Sequence, residues 1–137
     1  MKRVLISIKP EHADNILSGT KTVELRKLPF PDCNRIVMYC TSPVKRLVGE
    51  FKVEAVTTMS KETLWLMYGP RTGITKEQFD AYYKGRHWAA AILIKDVCPW
   101  PNIDPPRVFG KFHAPMSWRY LSVDEWLRIH VALEGKK

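Results

Sequence analysis

The sequence has few cysteines, and they are not arranged as metal ligands or disulfide partners. Its three cysteines, Cys33, Cys40 and Cys98, are odd in number and none of them shares a C-x-x-C spacing. This pattern supports neither a disulfide framework nor a zinc ribbon. The four histidines are also scattered along the chain, without the regular spacing of metal ligands. We therefore expect no metal and no cofactor, and we expect Cys40, within an apolar run, to be a small buried hydrophobic residue.

Long hydrophobic runs are also absent. No stretch approaches the roughly 20 apolar residues of a membrane-spanning helix. The first ten residues, MKRVLISIKP, contain only a short, strand-like apolar segment, which is not the pattern of a signal peptide. These features predict a cytoplasmic protein with no membrane partner. A length of 137 residues is enough for one domain with a sizeable core.

Positive charge, by contrast, is in excess. The chain has 22 lysines and arginines against 14 aspartates and glutamates, which gives a formal net charge of +8. A surplus of this size favours a polyanionic partner, above all nucleic acid. The basic residues are spread along the chain, so any basic patch must be made by the fold.

Hydrophobic periodicity predicts a mixed protein in which strands dominate. We expect strands at 4–8, 21–27, 35–41, 46–56 and 88–97, and helices at 10–18, 60–68, 75–85 and 122–133. The proline-rich segment PWPNIDPP is expected to be a loop, and RVFGKFHA a further strand. In 46–56 one face, with Glu50 and Lys52, is predicted to be wet. Because consecutive strands are too close for parallel crossovers, we expect an α+β protein with an antiparallel, twisted sheet or small open barrel.

The segment GTKTVELRK, residues 19–27, carries the main functional signal. Val23 and Leu25 alternate with Glu24 and Arg26, so the two polar side chains share one strand face. A guanidinium suits a phosphate or a base edge, and a carboxylate can orient the nearby Lys21. Three interpretations remain open at this point: a wet strand face, an ion pair that only holds a turn, or the wall of a binding cleft.

The same segment resembles the signature of a known family. Gly19, Lys21, Glu24 and Arg26 match G-x-K-x-x-E-x-R, and roughly residues 3–121 resemble the ASCH family. The resemblance implies a PUA-like twisted antiparallel β-barrel with flanking helices at 1–121. The C-terminal helix lies outside the resemblance, and we expect residues 122–137 to form a helical extension packed on the same domain. The resemblance also implies a basic cleft between the barrel and the first helix that binds RNA or a modified nucleoside.

Two kinds of activity remain open under this resemblance. The protein is either a binding module or a hydrolase, acetylcytidine amidohydrolase-like or a ribonuclease, with Lys21 and Glu24 as catalytic residues. The acetylcytidine-cleaving members carry a threonine where this sequence has Glu24. A carboxylate there should raise the pKa of Lys21 and disfavour nucleophilic attack, so binding is the favoured prediction. A protein-interaction adaptor acting through the C-terminal helix is a third hypothesis.

Further ligand contacts are predicted from basic and aromatic residues later in the chain. Tyr82 and Trp88 are expected in the core, although YYKGRHW interleaves aromatic and basic residues as a nucleic-acid surface would. Ser117 lies in a segment that resembles the typical end of the domain in this family, and we expect this end to lie near the cleft. Glu77 is a candidate catalytic acid or base. Its position in the first turn of a helix also explains a carboxylate without any catalytic role, because the helix dipole stabilises negative charge there. The predicted ligand-binding set is Lys21, Glu24, Arg26, Arg86, Trp118 and Arg119.

Overall fold

A computed structural model of the chain describes residues 1–135 and shows a mixed α+β fold. The strands are β1 (Arg3–Ile8), β2 (Val23–Arg26), β3 (Arg35–Cys40), β4 (Arg46–Ser60), β5 (Trp88–Ile103) and β6 (Trp118–Tyr120). The helices are α1 (Pro10–Ser18), α2 (Lys61–Tyr68), α3 (Lys76–Tyr82), α4 (Pro106–Phe109) and α5 (Val123–Glu134). None of the helices in this part of the chain is long and apolar enough to cross a membrane.

The strands form one six-stranded sheet in the order β2–β5–β4–β3–β1–β6. All neighbouring pairs are antiparallel except β1 and β3, which run parallel. The prediction of an antiparallel sheet is therefore wrong at this pair, because α1 and β2 intervene and supply the connection that a parallel pair needs. Within residues 1–135 the edge strands β2 and β6 do not pair, so the sheet is open and a closed barrel is not confirmed.

Three apolar clusters hold the helices on the sheet. Ala13 and Ile16 of α1 pack with β1 and β3, and Ile129 of α5 packs on the other side of these strands. Val23 and Leu25 of β2 belong to a third cluster with α2, α3 and β5. Full burial of one such aliphatic side chain stabilises the fold by roughly 1.5–3 kcal/mol. The last two residues of the predicted extension 122–137 lie outside the described residues.

Two predictions for the segment after residue 97 are wrong. The proline-rich segment continues β5 as far as Ile103, because Trp100 and Ile103 are buried and the bulges against β4 accommodate the prolines. The segment RVFGKFHA contains helix α4 and no strand. Pro105 and Pro106 preset a helical turn, in which the Phe109 amide donates to the Pro105 carbonyl at 2.9 Å.

The prediction that one face of β4 is exposed to water is also wrong at Glu50. Glu50 is only 7% exposed, because it lies on a central strand near α5 and β1. One of its carboxylate oxygens lies 3.4 Å from the Arg35 guanidinium, and the other is buried without a hydrogen-bond partner in the described part of the chain. Burial raises the pKa of Glu50, while Arg35, His130 and Arg3 oppose that shift.

Candidate functional site

A cleft of about 710 Å³ opens between α1, β2 and α3. Its wall carries the signature side chains Lys21, Glu24 and Arg26, so the structure brings all three together in one concavity. The side chains of His12 and Tyr82 face the same space. A cleft of this volume is in the range that holds a small molecule or a nucleotide.

The turn from α1 into β2 sets the positions of the signature residues. Gly19 adopts a φ of +85° at the end of α1, the left-handed conformation of a glycine helix cap, and its amide donates to the Ile16 carbonyl. The Lys21 amide then donates to the carbonyl of Asn15 at 2.9 Å. Because Val23 faces the third apolar cluster, strand alternation turns Glu24 toward the cleft.

The three charged side chains form a continuous ion chain. Lys21 Nζ lies 3.5 Å from Glu24 Oε1, and Arg26 Nη2 donates to Glu24 Oε2 at 3.0 Å. Lys21 is 1% exposed and Glu24 is 5% exposed, so the interpretation as a wet strand face is wrong. With two cations around one carboxylate, this part of the cleft keeps an excess of positive charge.

The Lys21 side chain is held from a second direction by the loop that follows α2. Its ammonium donates to the Thr72 carbonyl at 2.6 Å. Gly73, with a φ of +70°, packs directly on the Lys21 stem, where an added Cβ would come within 3.0 Å of Lys21 Cβ. The absence of a side chain at position 73 therefore lets this loop close over the lysine.

Arg26 connects the two ends of the open sheet. Besides its bond to Glu24, its guanidinium donates to the Ser7 carbonyl of β1 at 3.0 Å and to Ser117 Oγ, just before β6, at 3.3 Å. Its Nε is buried and has no hydrogen-bond partner among the described residues. Arg26 thus contributes to the fold as well as to the charge of the cleft.

Burial reverses the predicted pKa shift of Lys21. The sequence predicts that Glu24 raises the pKa of this lysine. Glu24 does act in that direction, but desolvation of the ammonium is the larger effect, and the pKa of Lys21 is lowered from its ordinary value of 10.5. Lys21 therefore gives up its proton more readily than an exposed lysine does.

His12 is a site residue that the sequence analysis missed. Its side chain is 27% exposed, and its Nδ1 is buried with no hydrogen-bond partner in residues 1–135. Burial lowers the pKa of His12 below its ordinary value of 6.5, with Lys21 adding to this effect and Glu24 opposing it. His12 is consequently mostly neutral at pH 7, and an unprotonated ring nitrogen can accept a proton.

The other predicted ligand contacts do not line the cleft. Arg86 is exposed before β5. Trp118 packs its ring 5.7 Å from that of Phe30. Arg119 makes a bidentate pair with Glu125, with N–O distances of 3.0 and 2.9 Å. Of the six predicted residues, the structure therefore gathers Lys21, Glu24 and Arg26 and leaves Arg86, Trp118 and Arg119 elsewhere.

Aromatic and acidic candidates also differ from expectation. Tyr82 is half-buried and lines the cleft, whereas Trp88, predicted in the core, is 59% exposed. Glu77 is exposed and lies outside the cleft lining. Among residues 1–135, no group of three or more His, Cys, Asp or Glu side chains is arranged to hold a metal ion.

Comparison with known proteins places this fold and signature in a family. Residues 1–122 match the family described as domain of unknown function (DUF365). The chain is 36% identical over 129 residues to an ASCH domain-containing ribonuclease of Zymomonas mobilis, an alignment that covers 90% of this chain and 87% of that protein. The crystal structure of ASCH from Zymomonas mobilis matches with a TM-score of 0.88 at 33% identity, covering 95% of this chain and 94% of that one. The N-terminal domain of McrB from Staphylothermus marinus matches with a TM-score of 0.56 at 11% identity, covering 94% of this chain and 93% of that one. At this low identity, the match shows a shared fold and nothing more. The extent of these matches, together with the G-x-K-x-x-E-x-R signature on the cleft wall, shows that the chain belongs to the ASCH domain family.

Proposed function

We propose that the protein binds single-stranded RNA in this cleft and cleaves it through the ribose 2′-hydroxyl. The observation that carries the proposal is the convergence of two cations, Lys21 and Arg26, with the imidazole of His12 in one cleft, where the His12 Nε2 atom lies 3.6 Å from Glu11 Oε1. A cleft of about 710 Å³ has room for a nucleotide but not for a duplex. The relative from Zymomonas mobilis named as a ribonuclease supports the choice of RNA.

Each step of this cleavage has a candidate group in the cleft. Neutral His12 accepts the proton of the 2′-hydroxyl at Nε2, because its Nδ1 is buried, and the freed oxygen attacks the adjacent phosphorus. The cations of Lys21 and Arg26 stabilise the charge that develops on the phosphoryl oxygens. The bond from phosphorus to the 5′-oxygen then breaks, and the leaving oxygen takes a proton from the Lys21 ammonium, whose lowered pKa makes it a better acid. The products are a 2′,3′-cyclic phosphate and a 5′-hydroxyl.

Replacing Arg26 should weaken RNA binding in a salt-dependent way. We expect Arg26→Ala to reduce affinity for uncleavable 2′-O-methyl RNA by about 1.5–3 kcal/mol, the value of a charge-assisted hydrogen bond. The dependence of log affinity on log salt concentration should fall by about one unit, because one phosphate contact is lost. Arg26→Lys keeps the charge and should keep the slope. Fluorescence anisotropy at several salt concentrations measures both quantities.

The control for this experiment is Arg128→Ala. Arg128 is exposed on α5 and pairs with Asp124 at 2.8 Å, so its loss removes a cation outside the cleft. Since Arg26 also bonds to Ser7 and Ser117, unfolding curves of each variant must accompany the binding data. Wild-type affinity that does not change with salt would refute the RNA proposal.

A second candidate function, amide hydrolysis of an acetylated nucleoside, is favoured by one observation. The pKa of Lys21 is lowered, which is the direction that a nucleophilic or basic lysine requires. Release of cytidine from acetylcytidine at about one turnover per second or faster, and its loss in Lys21→Ala, would support this function over RNA cleavage. Glu24→Thr, which restores the residue of the acetylcytidine-cleaving members, should raise that activity if it exists.

A further inference from the structure

A second concave surface lies beside the cleft, on the same face of the sheet. It is a groove of about 440 Å³, and its lining residues are Lys27, Pro29, Thr58, Trp88 and Ala90. Ala90 is the register partner of Arg26 across the β2–β5 pair. Because directly opposed residues point to the same side of a sheet, as do residues two apart on one strand, Trp88 and Arg26 share one face.

The groove has an exposed aromatic wall. Trp88 is 59% exposed at the start of β5, and its ring contacts that of His87 edge-on, with 4.7 Å between the ring centres. Among residues 1–135, no acidic side chain belongs to the groove lining. A tryptophan ring with this much exposed surface is suited to stacking against a planar group.

Basic side chains connect the groove to the cleft. The Lys27 ammonium lies 4.7 Å from the centre of the Tyr82 ring, which lines the cleft. Lys27, Lys84 and Arg86 are exposed, and in the part of the chain that the structure describes none of them forms an ion pair with a carboxylate. The charges of Lys27, which lines the groove, and of Arg86, which interacts electrostatically with Tyr82, are therefore available to a polyanion that runs from Arg26 toward Trp88.

We infer that the Trp88 groove is a second nucleotide subsite, in which the indole stacks a base of a single-stranded RNA whose phosphate backbone continues past Lys27 from the cleft. This inference rests on the proposed RNA-binding function and goes beyond it. Stacking on an aromatic ring tolerates any base, because every base has a π face. The subsite therefore adds affinity and strand length, without sequence preference.

The test compares short and long RNA. Binding of 2′-O-methyl oligomers, which cannot be cleaved through the 2′-oxygen, is measured for a dinucleotide and for an oligomer of about ten nucleotides. Trp88→Ala should weaken binding of the longer oligomer about tenfold, whereas Trp88→Phe, which keeps an aromatic face, should retain most of the affinity. Dinucleotide binding reports on the cleft alone. Tyr120→Ala is the matched control, since Tyr120 is an exposed aromatic residue on β6, outside the groove lining.

Each outcome decides the inference. A length-dependent loss in Trp88→Ala, absent from Tyr120→Ala, supports the subsite. Unchanged binding of the longer oligomer in Trp88→Ala overturns it, and so does a loss that is equal for both lengths. If Trp88→Ala instead dissolves a self-association of the protein and leaves RNA affinity unaltered, the groove is a protein interface. Wild-type protein that binds neither oligomer refutes the proposed function itself, which separates that failure from failure of the subsite.

Discussion

His12→Ala is expected to lower the rate of RNA cleavage at pH 7 by about a hundredfold to ten-thousandfold, the range for loss of a general base. His12 lines the cleft, its lowered pKa favours the neutral imidazole at this pH, and its side chain is 27% exposed to a ligand. Affinity for uncleavable RNA should change little, because the phosphate contacts of Lys21 and Arg26 remain. The defect is therefore expected in the rate of the chemical step.

The pH profile separates a catalytic role for His12 from a structural one. Wild-type activity should fall as the pH drops through the lowered pKa of His12, because protonation removes the base. In His12→Ala that acidic limb should disappear from the residual activity. His113→Ala, at an exposed histidine outside the cleft lining, is the control and should match the wild type. Cleavage by His12→Ala within a few-fold of the wild-type rate would remove His12 from the mechanism.

Glu24→Gln should destabilise the fold strongly. The carboxylate is 5% exposed and lies between the cations of Lys21 and Arg26, so its neutralisation leaves the buried lysine without its counter-charge. Breaking a buried ion pair by removing one partner typically costs about 3–5 kcal/mol. We expect a loss near the lower limit, about 3 kcal/mol, because glutamine can still accept one hydrogen bond from Arg26. Chemical denaturation at pH 7 measures this loss.

The same variant has a predicted pH dependence. The folded pKa of Lys21 lies below its ordinary value of 10.5, so between these values the unfolded chain binds more protons at this lysine and stability rises with pH. Glu24→Gln removes a charge that raises the pKa of Lys21, so the pKa falls further. The deficit in the free energy of unfolding should therefore shrink as the pH is raised toward the lowered pKa of Lys21 in the wild-type protein.

Two further variants test whether the buried charge is the cause. Adding Lys21→Met to Glu24→Gln removes the uncompensated cation and should restore most of the lost stability. Glu54→Gln is the matched control, because Glu54 is half exposed and lies 3.9 Å from Arg71, where the expected loss is about 0–1 kcal/mol. If Glu24→Gln were no more harmful than Glu54→Gln, the ion chain would not stabilise the cleft.

The α1–β2 segment could be predicted from the sequence because its signals are local. Pro10 begins the helix, Gly19 ends it in the left-handed conformation, and the period-two pattern that follows separates Val23 from Glu24 as expected. These features depend on backbone geometry within a few residues. The convergence of Lys21, Glu24 and Arg26 was anticipated only through the family resemblance, because it depends on how β2 lies against α1 and α3.

The same patterns could not predict which polar side chains are buried or which elements of the fold cover a strand face. Alternation identifies which side chains share a strand face but not what covers that face, and Glu50 was assigned to a wet face for this reason. The same gap produced the wrong sign for the pKa shift of Lys21, since desolvation outweighs the neighbouring carboxylate. His12 belongs to no motif in the sequence, and its spacing with Asn15 along one side of α1 is the available signal. Only the packing of α1 against β2 shows that it faces Glu24.

Analysis of the cleavage products tests the central claim most directly. Wild-type protein is incubated with a single-stranded RNA oligomer and with the same oligomer carrying one 2′-deoxyribose at the cleavage position, and the ends of the products are identified by mass spectrometry. The proposed mechanism predicts 2′,3′-cyclic phosphate and 5′-hydroxyl ends, and no cleavage at the deoxy position. Products with 5′-phosphate ends, cleavage at the deoxy position, or intact RNA after prolonged incubation would contradict it.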